Sequence, residues 1–164
     1  MVLTRVCLVM ACSLGVSLAA PSIFPPARPT PTLDACDCDL YRSEVRMDTA
    51  SLIQTLIALV LNEEGYHGCD QKDNVDFARS FLHEMIPILS EVLGHPDPVL
   101  PPLPPFEITC QPQEELKTLM EQKLVVILKN FGKSQSCGCP ATEPVQELLD
   151  VGYFLLDIIG TGQA

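Results

Sequence analysis

Four stretches of this chain carry apolar residues at steps of three and four, and this spacing constrains the fold more than any other feature. The stretches cover about 40–63, 74–93, 112–131 and 143–159. Steps of three and four place side chains on one face of a helix, so each stretch predicts an amphipathic α-helix with one buried stripe. No stretch gives a convincing strand pattern, and the chain therefore predicts an all-α fold.

The four stripes together predict a single core. They comprise Val45, Leu52, Ile53, Leu56, Ile57 and Val60 in the first helix; Ala78, Phe81, Leu82, Met85, Ile86, Leu89, Val92 and Leu93 in the second; Leu116, Leu119, Met120, Leu124, Ile127, Leu128 and Phe131 in the third; and Val145, Leu148, Leu149, Gly152, Leu155, Leu156 and Ile159 in the fourth. Asp73 is the predicted cap of the second helix, and Gly132 is predicted to end the third. Four helices that each bury one stripe predict a four-helix bundle. The residues leave open whether the helices run up-down-up-down or up-up-down-down.

The N-terminal region predicts a signal peptide for export, followed by a flexible leader. Arg5 precedes an apolar run over 6–18 that ends in small residues, so 1–19 is predicted to be a cleaved signal peptide. Residues 20–35 are rich in proline and lack helical spacing, which predicts a flexible leader. Residues 36–164 then form one domain. Nothing after the signal is long and apolar enough to anchor the chain, so we expect a secreted, extracellular protein without membrane insertion.

Six cysteines follow the leader, and all lie at predicted helix ends or in connections. They are Cys36, Cys38, Cys69, Cys110, Cys137 and Cys139. Extracellular thiols oxidise, so we expect disulfide bonds between distant partners. Two cysteines one residue apart are badly placed to bond each other, but the sequence does not choose among the remaining pairings. The alternative is a zinc site formed by the two Cys-x-Cys pairs, although zinc ligands are usually spaced more widely.

The net charge and the lack of catalytic motifs argue against several classes of function. The chain has 10 Lys and Arg residues against 21 Asp and Glu residues, a formal net charge of −11. Nucleic acid and anionic membrane surfaces bind clusters of Lys and Arg, so we expect neither as a partner. His67, His83 and His95 are scattered, and none belongs to a metal-binding, nucleophilic or phosphate-binding motif. We therefore expect no enzymatic activity, no cofactor and no metal.

Three segments resemble the class I helical cytokines, which are secreted four-helix bundles. TASLIQTLIALV (49–60) resembles the first helix of interleukin-13 and its relatives. CGCPATEPVQELLDVGYFLLDII (137–159) resembles the cysteine-led last helix of the interleukin-2, interleukin-4 and interleukin-5 groups. GCDQKDNVDFARSFLHEMIPILSEVLG (68–94) is similar to the second helix of the interleukin-23 alpha subunit. Helix lengths favour the short-chain type, which includes the interleukin-2, interleukin-4/interleukin-13 and interleukin-3/interleukin-5 groups. The resemblance implies a cytokine-like bundle with helices running up-up-down-down.

By that resemblance, the protein would bind cell-surface cytokine receptor chains and bring them together to signal to immune or haematopoietic cells. The candidate contacts are two sets of polar residues on the first and last helices. They are Arg42, Glu44 and Arg46 on the first helix, and Gln146, Glu147, Asp150 and Asp157 on the last. A charged residue on a helix exterior needs no explanation beyond solvation, which is the stronger interpretation for any single one of these residues.

Two other functions remain open at this point. The similarity to the interleukin-23 alpha subunit would make the chain one subunit of a covalent heterodimer, and an unpaired cysteine, Cys36 or Cys38, would then be expected. A secreted, cysteine-rich helical carrier of lipid or another small molecule also fits the composition. A carrier requires an apolar cavity of about 300 Å³ or more, whereas a cytokine-like bundle requires a filled core.

Overall fold

The computed structural model describes residues 36–160, and these residues form four α-helices. We number them α1 (Cys38–Leu61), α2 (Gln71–Val92), α3 (Pro112–Ser136) and α4 (Thr142–Gly160). Within the described residues, the only strand-like pairing is an isolated bridge between Tyr66 and Cys69 in the turn before α2. The all-α prediction is confirmed. The predicted signal peptide and leader lie outside the described residues, as do residues 161–164.

Two of the predicted helix ends are wrong, and the hydrogen bonds explain why. Asp70, not Asp73, caps α2, because the Oδ1 atom of Asp70 accepts the backbone N–H of Asp73 at 2.8 Å. α3 passes through Gly132 and continues to Ser136, since a glycine inside a helix costs only about 1 kcal/mol relative to alanine. The chain instead turns away at Gly138, whose φ of 72° is a left-handed conformation that glycine adopts without strain.

One apolar core joins the four helices and confirms most of the predicted stripe residues. The exceptions are Ile57, Val92 and Leu119, which are exposed, and Ile53, Leu93 and Leu128, which are half-buried. Ile57 and Leu119 each adjoin a buried residue in sequence and therefore point about 100° away from it around the helix. Phe77 was not part of any predicted stripe, yet it is among the largest fully buried side chains.

Gly152 allows α4 to approach α2 closely. A Cβ atom at this position would lie 3.2 Å from Cε of Met85 and 3.3 Å from Cγ1 of Ile86. Interiors are packed densely enough that added methyl groups at such a distance force their neighbours to shift. A side chain at position 152 would therefore require Met85 and Ile86 to shift.

We expect Gly152→Val to lower the free energy of unfolding by about 1–3 kcal/mol, because two added methyl groups would overpack the crossing of α2 and α4. Gly132→Ala on the exposed side of α3 is the matched control, since a Cβ atom there meets nothing within 4 Å. Gly132→Ala should raise the stability by about 0.5–1 kcal/mol through helix propensity. Urea unfolding followed by circular dichroism measures both, and a Gly152→Val variant as stable as the wild type would contradict the close crossing.

Two disulfide bonds define one end of the bundle. Cys36 bonds Cys137, and Cys38 bonds Cys139. These bonds join the start of α1 to the end of α3 and to the segment that leads into α4. α1 and α3 are therefore antiparallel, whereas α1 and α4 start at the same end of the bundle. We call this end the double-bridge end.

The third disulfide bond and a buried amide pair define the opposite end. Cys69 bonds Cys110, which joins the segments leading into α2 and α3. Next to this bond, Nε2 of the buried Gln113 donates to Oδ1 of the buried Asn74 at 3.1 Å. α2 and α3 therefore start together and run parallel. At the double-bridge end, His95 follows α2 and contacts Gln146 in the first turns of α4 at 2.8 Å.

These links give the helix directions up-down-down-up, and the predicted up-up-down-down order is wrong. The connection between α1 and α2, residues 62–70, is a short hairpin that stays at one end of the bundle. The proline-rich connection between α2 and α3, residues 93–111, is the one that crosses the length of the bundle. The four-helix architecture is confirmed. The long connection that crosses the bundle joins the second helix to the third.

The helices do not pack evenly around the core. α1 packs against the other three helices, and α2 packs against α4, whereas α2 and α3 approach each other only slightly. The crossing connection supplies apolar side chains next to this gap: Leu100, Phe106 and Ile108 pack against the core. The ring of Phe106 lies 6.4 Å from the ring of Phe77 on α2. The connection therefore packs where α2 and α3 make little direct contact with each other.

Candidate functional site

The outer face of α4 carries a row of acidic residues interrupted by one aromatic ring. The row consists of Glu143, Glu147, Asp150, Phe154 and Asp157, at successive steps of four, three, four and three residues. All five side chains are exposed, and Phe154 is exposed to 61%. We call this row the acidic face. It combines charge with an apolar side chain that the protein's own core does not use.

The apolar stripe of α4 determines which residues remain outside. Seven side chains of this helix are buried: Pro144, Val145, Leu148, Leu149, Leu155, Leu156 and Ile159. Because the buried residues and the acidic residues both recur at helical spacing, they occupy opposite sides of one helix. The close crossing at Gly152 fixes α4 against α2. The acidic face is therefore presented on a rigid, well-packed element.

No basic residue neutralises the acidic face from within α4, because the sequence from 142 to 160 contains no Lys, Arg or His. The ion pairs found among residues 36–160 lie elsewhere: Lys72 and Arg79 pair with Asp76 on α2, and Lys117 pairs with Glu121 on α3. The four carboxylates of the acidic face therefore add their fields in one direction. Such a surface attracts a basic partner over several ångströms of solvent.

Gln146, a predicted contact residue, has a different role from the three predicted acids. Its side chain is half-buried, its Oε1 atom accepts a hydrogen bond from Nε2 of His95 at 2.8 Å, and its Nε2 atom donates to Oδ1 of Asp150 at 2.8 Å. Gln146 thus links the segment after α2 to the acidic face. It positions the carboxylate of Asp150, whereas Glu147 and Asp157 are exposed to solvent.

The predicted contact set on α1 lies at the double-bridge end. Arg42 and Arg46 are exposed and line a cleft of about 580 Å³ between α1 and the start of α4, which includes Asp39 and Glu143. Glu44 is half-buried and does not line this cleft. The structure therefore places the two arginines near the first carboxylate of the acidic face and leaves Glu44 apart from them.

The six cysteines are paired, and the sulfur atoms considered as zinc ligands form the Cys36–Cys137 and Cys38–Cys139 bonds. Within the part of the chain that the structure describes, no group of three or more His, Cys, Asp or Glu side chains is arranged to hold a metal ion. His83 on α2 has a lowered pKa, caused first by burial and second by the positive charge of Arg79. Its Nε2 atom is buried without a hydrogen-bond partner in the described structure.

Sequence reasoning identified Glu147, Asp150 and Asp157 but missed Phe154 and Glu143. A signal for Phe154 was present in the sequence. Phe154 lies four residues after Asp150 and three before Asp157, so it shares their face and falls outside the apolar stripe. Tyr153, which is also exposed, lies beside it at the edge of a cleft of about 280 Å³ with His95.

Comparisons with known proteins returned no matching family model, no similar curated protein and no similar solved structure. None of the four helices in the described range is both long enough and apolar enough to cross a membrane.

Proposed function

We propose that this chain is a secreted helical ligand, cytokine-like in its action, whose acidic face binds a basic surface on a cell-surface receptor chain. The observation that supports the proposal most directly is Phe154, an exposed aromatic side chain within a row of four carboxylates, none of which forms an ion pair within residues 36–160. Three disulfide bonds in a domain of this size are typical of secreted proteins. The signal-like N-terminus supports the same compartment.

Phe154 has the properties of an anchor residue. Burying an exposed phenylalanine in a partner's pocket stabilises a complex by about 1.5–3 kcal/mol, and a few aromatic or arginine side chains usually dominate the energy of a protein interface. The surrounding carboxylates contribute mainly to the rate of association and to the choice of partner, because electrostatic attraction steers encounter. A receptor surface that fits would have Lys or Arg side chains around an apolar pocket.

A signalling ligand needs a second surface in order to bring two receptor chains together. Arg42 and Arg46, which line the cleft at the double-bridge end together with Asp39 and Glu143, supply a second surface of mixed charge. The second receptor chain would then present both acidic and basic side chains. The up-down-down-up helix order differs from the order that the class I resemblance implied. The two surfaces therefore supply the proposed contacts, and the resemblance supplies only the expected cell type.

The two alternative functions have less support. A covalent heterodimer requires a free thiol, but the structure pairs all six cysteines between 36 and 139 within the chain. A lipid carrier requires an apolar cavity, whereas the centre of the bundle is filled by side chains such as Leu52, Met85 and Ile127. The clefts between the described elements are lined in part by charged residues and prolines, which suit a protein or polar ligand better than a lipid chain.

The proposal predicts saturable binding to a protein on the surface of immune or haematopoietic cells, with Phe154 at its centre. Fluorescently labelled chain would be titrated onto leukocytes and measured by flow cytometry, before and after protease treatment of the cells. Phe154→Ala should weaken binding about 30-fold, the equivalent of about 2 kcal/mol. Asp150→Asn combined with Asp157→Asn should weaken it less and reduce its dependence on salt concentration.

Val125→Ala is the matched control, because Val125 is an exposed apolar residue on α3 and lies on a different helix from the acidic face. This variant should bind within about twofold of the wild type. Saturable, protease-sensitive binding that is unaffected by Phe154→Ala would remove the acidic face from the proposal. A complete lack of saturable binding to these cells would remove the proposed function itself.

A further inference from the structure

The outer side of α1 carries a second apolar stripe that the bundle does not bury. Leu40, Met47, Gln54 and Leu61 recur at intervals of seven residues, and Ser43, Ala50 and Ile57 each follow three residues after one of the first three. All seven side chains are exposed. This spacing is that of the a and d positions of a coiled coil, in which two helices pack along a shared seam. We call these seven residues the α1 seam.

The α1 seam lies opposite the side of α1 that packs in the core. Val45, Leu52 and Leu59 also recur at intervals of seven, and all three are fully buried. Each follows a d position of the seam by two residues and therefore points to the opposite side of the helix. α1 is therefore apolar on two opposite sides, and the uncharged run from Thr49 to Leu61 contains no Asp, Glu, Lys or Arg. An exposed stripe of this kind is typical of a surface that binds another protein.

We propose that the α1 seam packs against the α1 seam of a second copy of this chain in an antiparallel, two-fold symmetric dimer. Charge is the first reason to choose a second copy. Each copy has a net charge of −11, so most of its surface repels another copy. The outer side of α1 beyond Asp48 is without charge, and two copies can meet there without bringing carboxylates together.

The second reason is that the seam is complementary to itself. In an antiparallel pair, the two-fold axis lies between positions 48 and 49 of the two helices. Each a residue of one copy then meets a d residue of the other, in three kinds of layer. Leu40 meets Ile57 of the second copy, Met47 meets Ala50, and Gln54 meets Ser43. Two layers are apolar, with a long side chain against a small one in the centre, and the third can form a hydrogen bond between polar side chains.

The residues beside the seam do not oppose this arrangement. In the same register, Arg46 lies next to Ile53 of the second copy and Glu44 lies next to Ser51. No charge faces a like charge across the pair, which is the condition that usually selects or rejects a coiled-coil partner. The contact is one helix face of about 33 Å in length, near the lower limit for a specific interface. We therefore expect dissociation in the micromolar range.

Sedimentation equilibrium of the purified, disulfide-bonded chain from about 1 to 200 μM tests the proposal. The wild type should pass from monomer to dimer across this range. Ala50→Glu should raise the dimer dissociation constant at least about 100-fold, because the symmetry places the added carboxylate twice in the seam. Val125→Glu, on the exposed side of α3, is the matched control and should dimerise like the wild type. Circular dichroism shows whether each variant is folded.

A paired exchange tests the antiparallel register. Met47→Ala and Ala50→Met should each weaken the dimer about tenfold or more, through a gap or through crowding in the central layer. The double variant restores one large and one small side chain to every central contact and should recover most of the affinity. This test does not depend on the proposed receptor function, because it requires no receptor.

Three results would overturn the proposal. The first is a wild-type chain that stays monomeric at every concentration. This result would overturn the dimer even if variants of the seam lost their binding to cells. The second is a dimer that survives Ala50→Glu. The third is a chain that dimerises only after residues 20–35 are removed, which would assign the seam to the leader of the same molecule.

Discussion

Leu124→Asp should abolish the folded bundle, whereas the same change one residue later, Val125→Asp, should leave it almost unchanged. Leu124 is only 7% exposed and belongs to the core, while Val125 is 63% exposed on the same turn of α3. A carboxylate at position 124 would lose its hydration without gaining a cationic partner. The expected loss of stability is about 4 kcal/mol or more, a large part of the 5–15 kcal/mol that small domains typically possess.

Helical circular dichroism and thermal melting measure this difference directly. Leu124→Asp should lose the cooperative transition, and Val125→Asp should melt within about 4 °C of the wild type, since surface changes are worth about 0.5 kcal/mol. The two variants have the same charge and nearly the same helix position, so propensity and net charge cancel in the comparison. A Leu124→Asp protein that melts normally would refute the described core.

The second large effect concerns the two disulfide bonds of the double-bridge end, which should be strongly non-additive. Cys36–Cys137 and Cys38–Cys139 each close a loop with a sequence separation of 101 residues. Because the bonds run side by side, either one alone closes nearly the same loop. In the chain-entropy model, the second bond then closes a further ring of only about six residues, worth about 2 kcal/mol, while the first long loop is worth about 4.7 kcal/mol.

Replacing both cysteines of one bond by alanine should therefore cost about 2 kcal/mol, whichever bond is chosen. Replacing all four cysteines should cost about 7 kcal/mol, well above the sum of the two separate losses. Guanidinium unfolding of the three variants measures these values, and mass spectrometry under non-reducing conditions checks that the remaining bonds are intact. Losses that simply add would show that the two bonds do not constrain the same loop.

Much of the fold could be predicted from the sequence because helical periodicity records local geometry. The four helices and most core residues follow from steps of three and four, and the positions of the cysteines at helix ends correctly indicated that they would act as links. The identity of each bonded pair could not be predicted, because it depends on which helix ends meet in space. The same missing information explains the wrong helix order.

Errors within single helices have a different origin. Val92 and Leu119 belong to apolar patterns, yet they lie at the edge of their stripes, where a small rotation of the helix decides between burial and exposure. For α1 the difficulty is greater, because apolar residues lie on both sides and periodicity cannot identify the side that faces the core. Of the candidate acidic face, three of the four acids were predicted. Phe154 was missed because α4 is rich in apolar residues, although its spacing from Asp150 and Asp157 places it on their face.

The slight contact between α2 and α3 has a consequence for how the molecule moves. Both ends of the bundle are closed by covalent bonds, but along this side the two helices are joined mainly through Phe106 and its neighbours in the proline-rich connection. Prolines supply no backbone N–H groups, so few hydrogen bonds hold that segment in place. Local opening should therefore begin where the connection lifts away, well before the helices separate at either end. Within 36–160, local opening is therefore expected along this side, while the disulfide bonds hold both ends of the bundle together.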